Sequence, residues 1–462
     1  KKNYLPMSQD SFIAAIVLGS FQTTGIVGQK TTDGSIKVLS YYSTLSSEFI
    51  NKGRVFNLEK MTNCLRNIKE HLEEQTKCNI GKFYVSVNCM GTRSVTNTVT
   101  IPFSSRETIT NEVVSMVLEH NQATRSNDHL YLEAIPLEYR VGSMVTSEPV
   151  GMQSDNIRAD FLNISCNSRV IEDIETCFRR ANITIAKLTL STINLANVMP
   201  TEQERNSGCI FVDMGSQTTT VAVYKSRLLR HLAVIPLGSD NVTQDIVKIC
   251  NCDETRAEEL KRTYGYPDFQ NLDDSEESHI ILDGGRKCSQ RVLAEIIEAR
   301  VEEIVQNVEE QAKRANISFD KLVNGVIITG GAAQMSNINK SFEQHFKDLS
   351  VRIVNTPPRL TILADDNRFN QSGTYNVGLA LIELGEINCN GGERPKPEEV
   401  TLFPEETHAP QEEEVTVPEA PKEPELPAEE PTVEEPKEAP KPKGKGWWRS
   451  IKDSLSSLVS ED

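Results

Sequence analysis

The sequence lacks a long hydrophobic run. The longest, from Phe12 to Leu18, has seven residues, whereas a membrane-spanning helix needs about 20. Its length and its β-branched residues predict a buried strand. A surplus of basic residues is lacking too, because the formal net charge is −17 over 462 residues. This balance disfavours nucleic-acid binding, which requires a basic surface.

A cysteine framework is also absent. The ten cysteines have no regular spacing, and Cys250 and Cys252 are the only close pair. No second pair or histidine cluster completes a zinc site. We therefore expect reduced structural thiols in a cytosolic protein, rather than a disulfide scaffold or a metal centre built on cysteine.

The negative charge is concentrated near the C-terminus. Residues 393–440 hold 16 glutamates and four basic residues, and 12 of the 21 prolines lie between 395 and 442. Such a composition cannot bury a core, so we predict a disordered acidic Pro/Glu linker over 391–445, extended by charge repulsion. A solvated spacer is the plain interpretation, and a docking segment for a basic partner is the alternative.

Tryptophan is scarce, and both copies stand in the last 16 residues. On a helix they would share one apolar stripe, with the cationic residues lying largely away from it, which suits the surface of an anionic membrane. One such helix binds weakly, so firm attachment requires several on one assembly. The alternatives are a helix that folds back on the body and a peptide for a partner's groove. The predicted membrane-targeting helix, 446–462, presents Trp447, Trp448, Arg449, Ile451, Lys452, Leu455, Leu458 and Val459.

A strand–turn–strand pattern occurs twice, at residues 16–27 and 212–224. Each copy has a Gly-Ser turn and two threonines at the same offset. Backbone N–H groups in such turns bind phosphate, and two turns facing each other would hold a nucleoside triphosphate. A third turn, Gly330-Gly331, follows a buried strand and would let the backbone approach a base or ribose. Three ordinary loops of an α/β fold are the alternative.

The two copies differ at one position that matters for metal binding. Asp213 ends a strand beside the second turn, where its carboxylate would hold Mg²⁺ through water, whereas the first copy has Val17. Glu258 and Lys261 could reach a ribose from a helix, although a solvated helix face is the plainer interpretation. The candidate nucleotide-binding residues are Gly19, Ser20, Phe21, Gln22, Asp213, Gly215, Ser216, Gln217, Thr218, Thr219, Glu258, Lys261, Gly330, Gly331 and Ala332.

Alternating strands and helices in two similar halves predict a duplicated α/β fold, and a small α/β block interrupts the first half. Amphipathic spacing predicts a helix over 57–76. Further helices are expected near 108–120 and over 169–180, and a long charged helix is expected over 293–314. The predicted subdomains are 12–92 with 163–204, the inserted block 93–162, 205–239 with 318–390, and 240–317.

The paired hairpins, in this order, resemble the superfamily of actin, heat-shock chaperone ATPases and sugar kinases. Within it the sequence is similar to the FtsA family of bacterial cell-division proteins, in residues 235–246, 257–265 and 327–331 and in the amphipathic C-terminal segment. The inserted block stands where that family carries its extra subdomain. The resemblance covers about 12–388 and 446–462.

The resemblance implies an actin-like body that binds ATP with Mg²⁺ and polymerises. It also implies attachment to the cytoplasmic side of the cell membrane at the septum, docking of the C-terminal peptide of the tubulin-like protein FtsZ at about 240–317, and recruitment of later division proteins. The chain departs from the family pattern at Val17, Ser191, Gln217 and Thr220. A missing carboxylate removes a ligand for metal-bound water and a candidate base, so we expect ATP binding with weak or absent hydrolysis.

Two other functions are compatible with parts of the sequence. A small-molecule kinase of the same superfamily would need an acidic residue in the first turn, and it would leave the C-terminal segment unexplained. An actin-like, membrane-associated assembly protein of the pilus type would match the fold, but it would not explain the inserted block together with the long-tethered segment.

Overall fold

The structure is a computed structural model that describes residues 11–125, 128–265, 279–282, 287–364, 366, 369 and 373–393. The predicted linker lies outside the described residues except for its first three positions, and the predicted membrane-targeting helix lies wholly outside them. Among the helices in the described ranges, none combines the length and the hydrophobicity that crossing a membrane requires.

The strands run from the N-terminal hairpin to a short strand near residue 390. They are β1 Ile13–Leu18, β2 Gln22–Lys30, β3 Ile36–Leu45, β4 Ile50–Asn51, β5 Arg54–Val55, β6 Cys78–Ile80, β7 Phe83–Val87, β8 Arg93–Thr108, β9 His129–Val141, β10 Met144–Thr146, β11 Gln153–Asn167, β12 Ile185–Leu190, β13 Cys209–Met214, β14 Thr219–Lys225, β15 Leu228–Ile235, β16 His279–Ile281, β17 Lys287–Ser289, β18 Val326–Thr329, β19 Val351–Ile353, β20 Ile362–Leu363 and β21 Asn390–Glu393.

The helices alternate with these strands in both halves, and short 3₁₀ helices cover Phe319–Lys321 and Gly331–Gln334. The α-helices of the described residues are α1 Leu58–Thr76, α2 Asn111–Ala123, α3 Ser168–Arg180, α4 Ser191–Val198, α5 Glu202–Ser207, α6 Ser239–Cys250, α7 Glu254–Tyr264, α8 Gln290–Lys313, α9 Ile338–His345 and α10 Asn376–Leu384.

The same five-strand arrangement occurs twice, which confirms the predicted duplication. One sheet has the order β12-β7-β1-β2-β3-β20, and the other contains β15-β14-β13-β18-β19. In the first half β1 pairs antiparallel with β2 and parallel with β7, and in the second half β13 pairs antiparallel with β14 and parallel with β18. The two hairpins that the sequence singles out are therefore β1–β2 and β13–β14, at equivalent places in the two halves.

The inserted block is an antiparallel sheet with one helix across it, and its fold class is as expected. Strand β11 pairs with both β8 and β9, and β8 joins the second sheet through the pair Arg93 and Ala233. Strand β8 runs as one long strand from Arg93 to Thr108. The helix expected near 108–120 begins at residue 111, because the Thr110 side chain caps it by accepting a hydrogen bond from the Val113 N–H.

Helix α1 shows how the apolar spacing positions an element. The Asn57 side chain caps it by accepting from the N–H of Lys60. The four apolar residues at helical spacing are all buried against the first sheet, as the sequence predicts. They are Met61, Leu65, Ile68 and Leu72.

Candidate nucleotide-binding cleft

A cleft of about 700 Å³ lies between the two halves, a volume within the usual range for small-molecule sites. It is lined by the turn after β1, the turn after β13, the Gly330–Gln334 segment after β18, and helices α6 and α7. The three glycine turns that the sequence singled out therefore converge on one site.

The first two turns have the same backbone hydrogen bond. The N–H of Gly19 donates to the carbonyl oxygen of Gln22 at 3.2 Å, and the N–H of Gly215 donates to that of Thr218 at 2.8 Å. The N–H groups of the two residues after each glycine find no acceptor within the described residues. Three of these four donors belong to residues that line the cleft, Ser20, Phe21 and Ser216, and such unpaired backbone N–H groups are what phosphate binding requires.

Asp213 carries a buried carboxylate that faces no cation in the described part of the chain. The residue is 8% exposed, and its Oδ2 accepts a hydrogen bond from the Thr192 hydroxyl at 3.2 Å. Burial raises the pKa of Asp213 from 3.8 to about 6, and the Thr192 hydrogen bond lowers it only in part. A carboxylate in this state gains from a divalent cation, so the group fits Mg²⁺.

The Gly330-Gly331 turn is shaped by close approach on one side and open space on the other. Gly330 has φ +99°, and an added Cβ would come within 2.3 Å of the Met214 carbonyl oxygen and 2.8 Å of Asp213 Oδ1. A Cβ added at Gly331 would meet nothing within 4 Å. Glycine is therefore required at 330 by the fold, whereas Gly331 leaves room in the cleft for a ligand.

Glu258 and Lys261 form an ion pair in which the lysine is buried and the carboxylate is partly exposed, so a solvated helix face does not describe Lys261. Lys261 Nζ lies 2.6 Å from Glu258 Oε2 and 2.9 Å from Thr243 Oγ1, and the Lys261 side chain is only 6% exposed. Burial alone would raise the pKa of the Glu258 carboxyl, but hydrogen bonds from Lys261 and Thr243 outweigh it and lower the pKa. The pair joins α7 to α6 at the wall of the cleft.

Two candidate residues do not line the cleft. Thr219 is fully buried and donates to the Leu237 carbonyl oxygen at 2.9 Å, which is a structural role. The Gln217 side chain extends from the second turn toward Lys52, whose backbone N–H donates to its Oε1 at 2.7 Å. The candidates that do line the cleft are Gly19, Ser20, Phe21, Gln22, Asp213, Gly215, Ser216, Thr218, Glu258, Lys261, Gly330, Gly331 and Ala332.

Sequence reasoning missed two asparagines that line the cleft. Asn376 is 2% exposed, its Nδ2 donates to the Asn355 carbonyl oxygen at 2.7 Å, and its Oδ1 has no partner in the described chain. Because a carbonyl only accepts, this bond fixes the amide orientation. Asn88 likewise has an unpaired Oδ1, while its Nδ2 bonds Thr220. A buried acceptor without a donor indicates space for a polar ligand or water.

The positions that depart from the family pattern carry no charge. Val17 lines the cleft opposite the second hairpin, and the Ser191 hydroxyl bonds the hydroxyl of Ser86 at 3.0 Å. Thr220 is fully buried and takes its hydrogen bond from Asn88. The described cleft therefore has a single carboxylate, Asp213, between the two turns, with Asp240 and Glu258 on the helices to one side.

Comparison with protein families gives two matches. Residues 210–370 match the model of the cell division protein FtsA, and residues 90–165 match the model of the SHS2 domain inserted in FtsA. The second match coincides with the inserted block. The chain is 26% identical over 400 residues to the cell division protein FtsA of Escherichia coli K12, covering 84% of this chain and 94% of that protein. It is also 26% identical over 389 residues to that of Bacillus subtilis, covering 83% and 85%.

A solved structure, the PilM-PilN type IV pilus biogenesis complex, superposes with a TM-score of 0.57 at 11% identity, covering 80% of this chain and 97% of that one. At this identity the likeness concerns the fold alone. Together with the inserted domain, it confirms a mixed α/β, actin-like fold with an SHS2 insertion.

Proposed function

We propose that this chain, which belongs to the FtsA family of cell-division proteins, binds ATP with Mg²⁺ in the cleft, assembles into actin-like filaments, and holds FtsZ filaments to the cytoplasmic side of the cell membrane at the division septum. It would there recruit later division proteins. The observation that carries the nucleotide part is the pair of matched glycine turns whose free N–H groups line one cleft.

The residues of the cleft fit a magnesium nucleotide. The turns at Gly19 and Gly215 would hold phosphates through backbone N–H groups, and Asp213 would hold Mg²⁺ through water. The open space beside Gly331 would take the base or the ribose. Bound ATP and Mg²⁺ would supply a charged group that ties the two halves together across the cleft.

We further propose that hydrolysis is weak or absent. General-base catalysis needs a side chain that can accept a proton from water near the terminal phosphate. Val17 cannot accept one, and the Ser191 hydroxyl is engaged with Ser86. The protein would then use nucleotide to set its conformation and assembly rather than to drive turnover.

Attachment to the membrane rests on the amphipathic segment at 446–462. Half-burying six apolar side chains contributes roughly 6 kcal/mol, and ordering the helix offsets much of it. A single copy would therefore bind anionic lipid reversibly, and a filament that presents many copies would bind firmly. The acidic linker would serve as the spacer, and the region 240–317 would dock the C-terminal peptide of FtsZ.

The test is co-pelleting of FtsZ with anionic lipid vesicles, using the full chain and a chain that ends at Gly446. We expect FtsZ to pellet with the full chain and to stay in solution with the shortened one. Pelleting of the protein without FtsZ would favour an actin-like membrane protein of the pilus type, to be tested against pilus components. Pelleting of FtsZ with both chains would contradict the assignment of the anchor to the last residues.

A further inference from the structure

A small hairpin approaches both phosphate turns from the side of the first half. Strands β4 and β5 are joined by Lys52 and Gly53, which have φ +48° and +73°. Their two consecutive N–H groups each meet a side chain of a phosphate turn. The Lys52 N–H donates to Gln217 Oε1 at 2.7 Å, and the Gly53 N–H donates to Ser20 Oγ at 2.9 Å.

The position of this hairpin tip is fixed by close packing. A Cβ added at Gly53 would come within 2.0 Å of the Asn88 carbonyl oxygen. The N–H of Met90 also donates to the Lys52 carbonyl oxygen at 3.0 Å. The tip therefore cannot move without displacing its neighbours, and its N–H groups keep facing the turns.

Consecutive N–H groups in such turns form a concavity that binds anions. Here the concavity holds two neutral oxygen atoms of the protein itself. The two are not equivalent, because a serine hydroxyl that accepts from Gly53 still has a proton to donate to phosphate, whereas the Gln217 carbonyl oxygen only accepts. A phosphate oxygen can thus add to Ser20, but it must displace Gln217.

We propose that the Gln217 side chain competes with the terminal phosphate of a bound nucleotide. The side chain bridges the second phosphate turn to the Lys52-Gly53 tip, and it thereby lowers the preference of the cleft for nucleoside triphosphate over diphosphate. This inference rests on the proposed nucleotide-binding function. It assigns to Gln217 a positioning role that differs from direct contact with the nucleotide.

Asp240 supports this bridge from the other side. It lines the cleft at the start of α6, and its N–H donates to the Ser216 carbonyl oxygen at 2.7 Å, which places it beside the second turn. Burial raises the pKa of the Asp240 carboxyl, and a hydrogen bond with the Gln217 side chain opposes that rise. A carboxylate here adds a like charge where a third phosphate would come.

The experiment measures affinities of the full chain for ATP and ADP, each with Mg²⁺, by titration calorimetry. Gln217→Ala frees the Lys52 N–H, so we expect ATP affinity to rise about fivefold, the effect of one ordinary hydrogen bond, with ADP affinity nearly unchanged. Gln217→Glu puts a carboxylate on the tip, and ATP affinity should fall. Gln306→Ala, on the exposed face of α8, is the matched control and should change neither.

Hydrogen exchange of the peptide over residues 50–56 provides a second readout. In Gln217→Ala this peptide should exchange faster than in the parent chain, and ATP, unlike ADP, should slow it again. Equal changes in ATP and ADP affinity, or weaker ATP binding by Gln217→Ala, would overturn the inference alone. Failure of the parent chain and of both Gln217 variants to bind either nucleotide would overturn the nucleotide-binding proposal together with it.

Discussion

The two halves of the molecule have the same strand arrangement and the same glycine turns, but they contribute different side chains to the cleft. Both hairpins place a glycine whose N–H closes the same turn. Yet the charged side chains that line the described cleft all come from the second half, whereas the first half contributes neutral groups only. The charged residues are Asp213, Asp240, Glu258, Lys261 and Arg262.

This difference separates two requirements of a phosphate site. Backbone N–H groups depend on the turn and survive any side chain that keeps the turn, so both halves retain them. Metal binding and proton transfer depend on particular carboxylates, and substitution by an apolar residue removes them at once. We therefore expect disruption of the second half to change charge balance and metal dependence, and disruption of the first half to act mainly through the turn.

The largest effect is expected at the ion pair of the second half. Lys261→Met leaves the Glu258 carboxylate with the exposed Arg262 and the Thr243 hydroxyl. Because Glu258 is 29% exposed and keeps Arg262, we expect a loss of about 3 kcal/mol, the lower end for breaking a buried pair. The measurement is the free energy of unfolding in urea. The double change Lys261→Met with Glu258→Gln should recover most of the loss, and equal losses in Lys261→Met and the double variant would contradict the unpaired Glu258 charge as the cause of the loss.

The next effect concerns Asp213 and has a definite sign with pH. Its pKa is raised from 3.8 to about 6 in the folded protein, so the folded state binds more protons than the unfolded state between these values. The contribution of Asp213 to the free energy of unfolding therefore falls by about 3 kcal/mol as pH rises from about 4 to 6, because the pKa shift is about two units. Above about pH 6 this contribution no longer changes.

The measurement compares the parent chain with Asp213→Asn in nucleotide-free and metal-free buffer. The variant should be more stable by up to about 3 kcal/mol at pH 7 and equal to the parent at pH 4. Since other carboxyls titrate in both proteins, the difference between the two curves isolates Asp213. A difference that is constant with pH would contradict a raised pKa.

The sequence predicts the hairpins and turns that the two halves have in common, but it does not predict the side-chain contacts that distinguish them. The offset of the threonines revealed the paired hairpins, because each hairpin is a local pattern within about a dozen residues. The apolar spacing of α1 and the glycines of the third turn were equally local. Local spacing also identified Asp213, since strand and turn together fix where that side chain lies.

Contacts between distant segments could not be read in this way. The burial of Lys261 depends on how α7 packs against α6, and its surface-like sequence, Ala257-Glu258-Glu259-Leu260-Lys261, gives no sign of it. The Gln217 bridge joins residues 165 positions apart. Asn376 presents an unpaired Oδ1 to the cleft because α10 begins beside Asn355, whose carbonyl oxygen accepts from the Asn376 Nδ2.

A smaller effect is expected when charge is introduced into the neutral half. Val17→Asp places a second carboxylate at the cleft, in a strand position paired with Thr24. In metal-free buffer at pH 7 it should lower the free energy of unfolding by about 2 kcal/mol, through desolvation and repulsion by Asp213. Val17→Asn provides the uncharged control. Mg²⁺ with ATP should restore stability in the aspartate variant more than in the asparagine variant, as measured by thermal unfolding.

The smallest effect compares the two glycines directly. A Cβ added at Gly19 would lie 2.6 Å from the Gln22 carbonyl oxygen, and one at Gly215 would lie 2.9 Å from that of Thr218. Both distances are shorter than a carbon atom and a backbone oxygen can tolerate, so each alanine substitution should be destabilising. Gly19→Ala should lower the free energy of unfolding by about 1 kcal/mol more than Gly215→Ala. Gly331→Ala, which meets nothing within 4 Å, should leave stability unchanged and weaken nucleotide binding. Because both turns keep the same hydrogen bond, the reverse order of the two losses would mean that the halves differ in backbone rigidity as well as in charge.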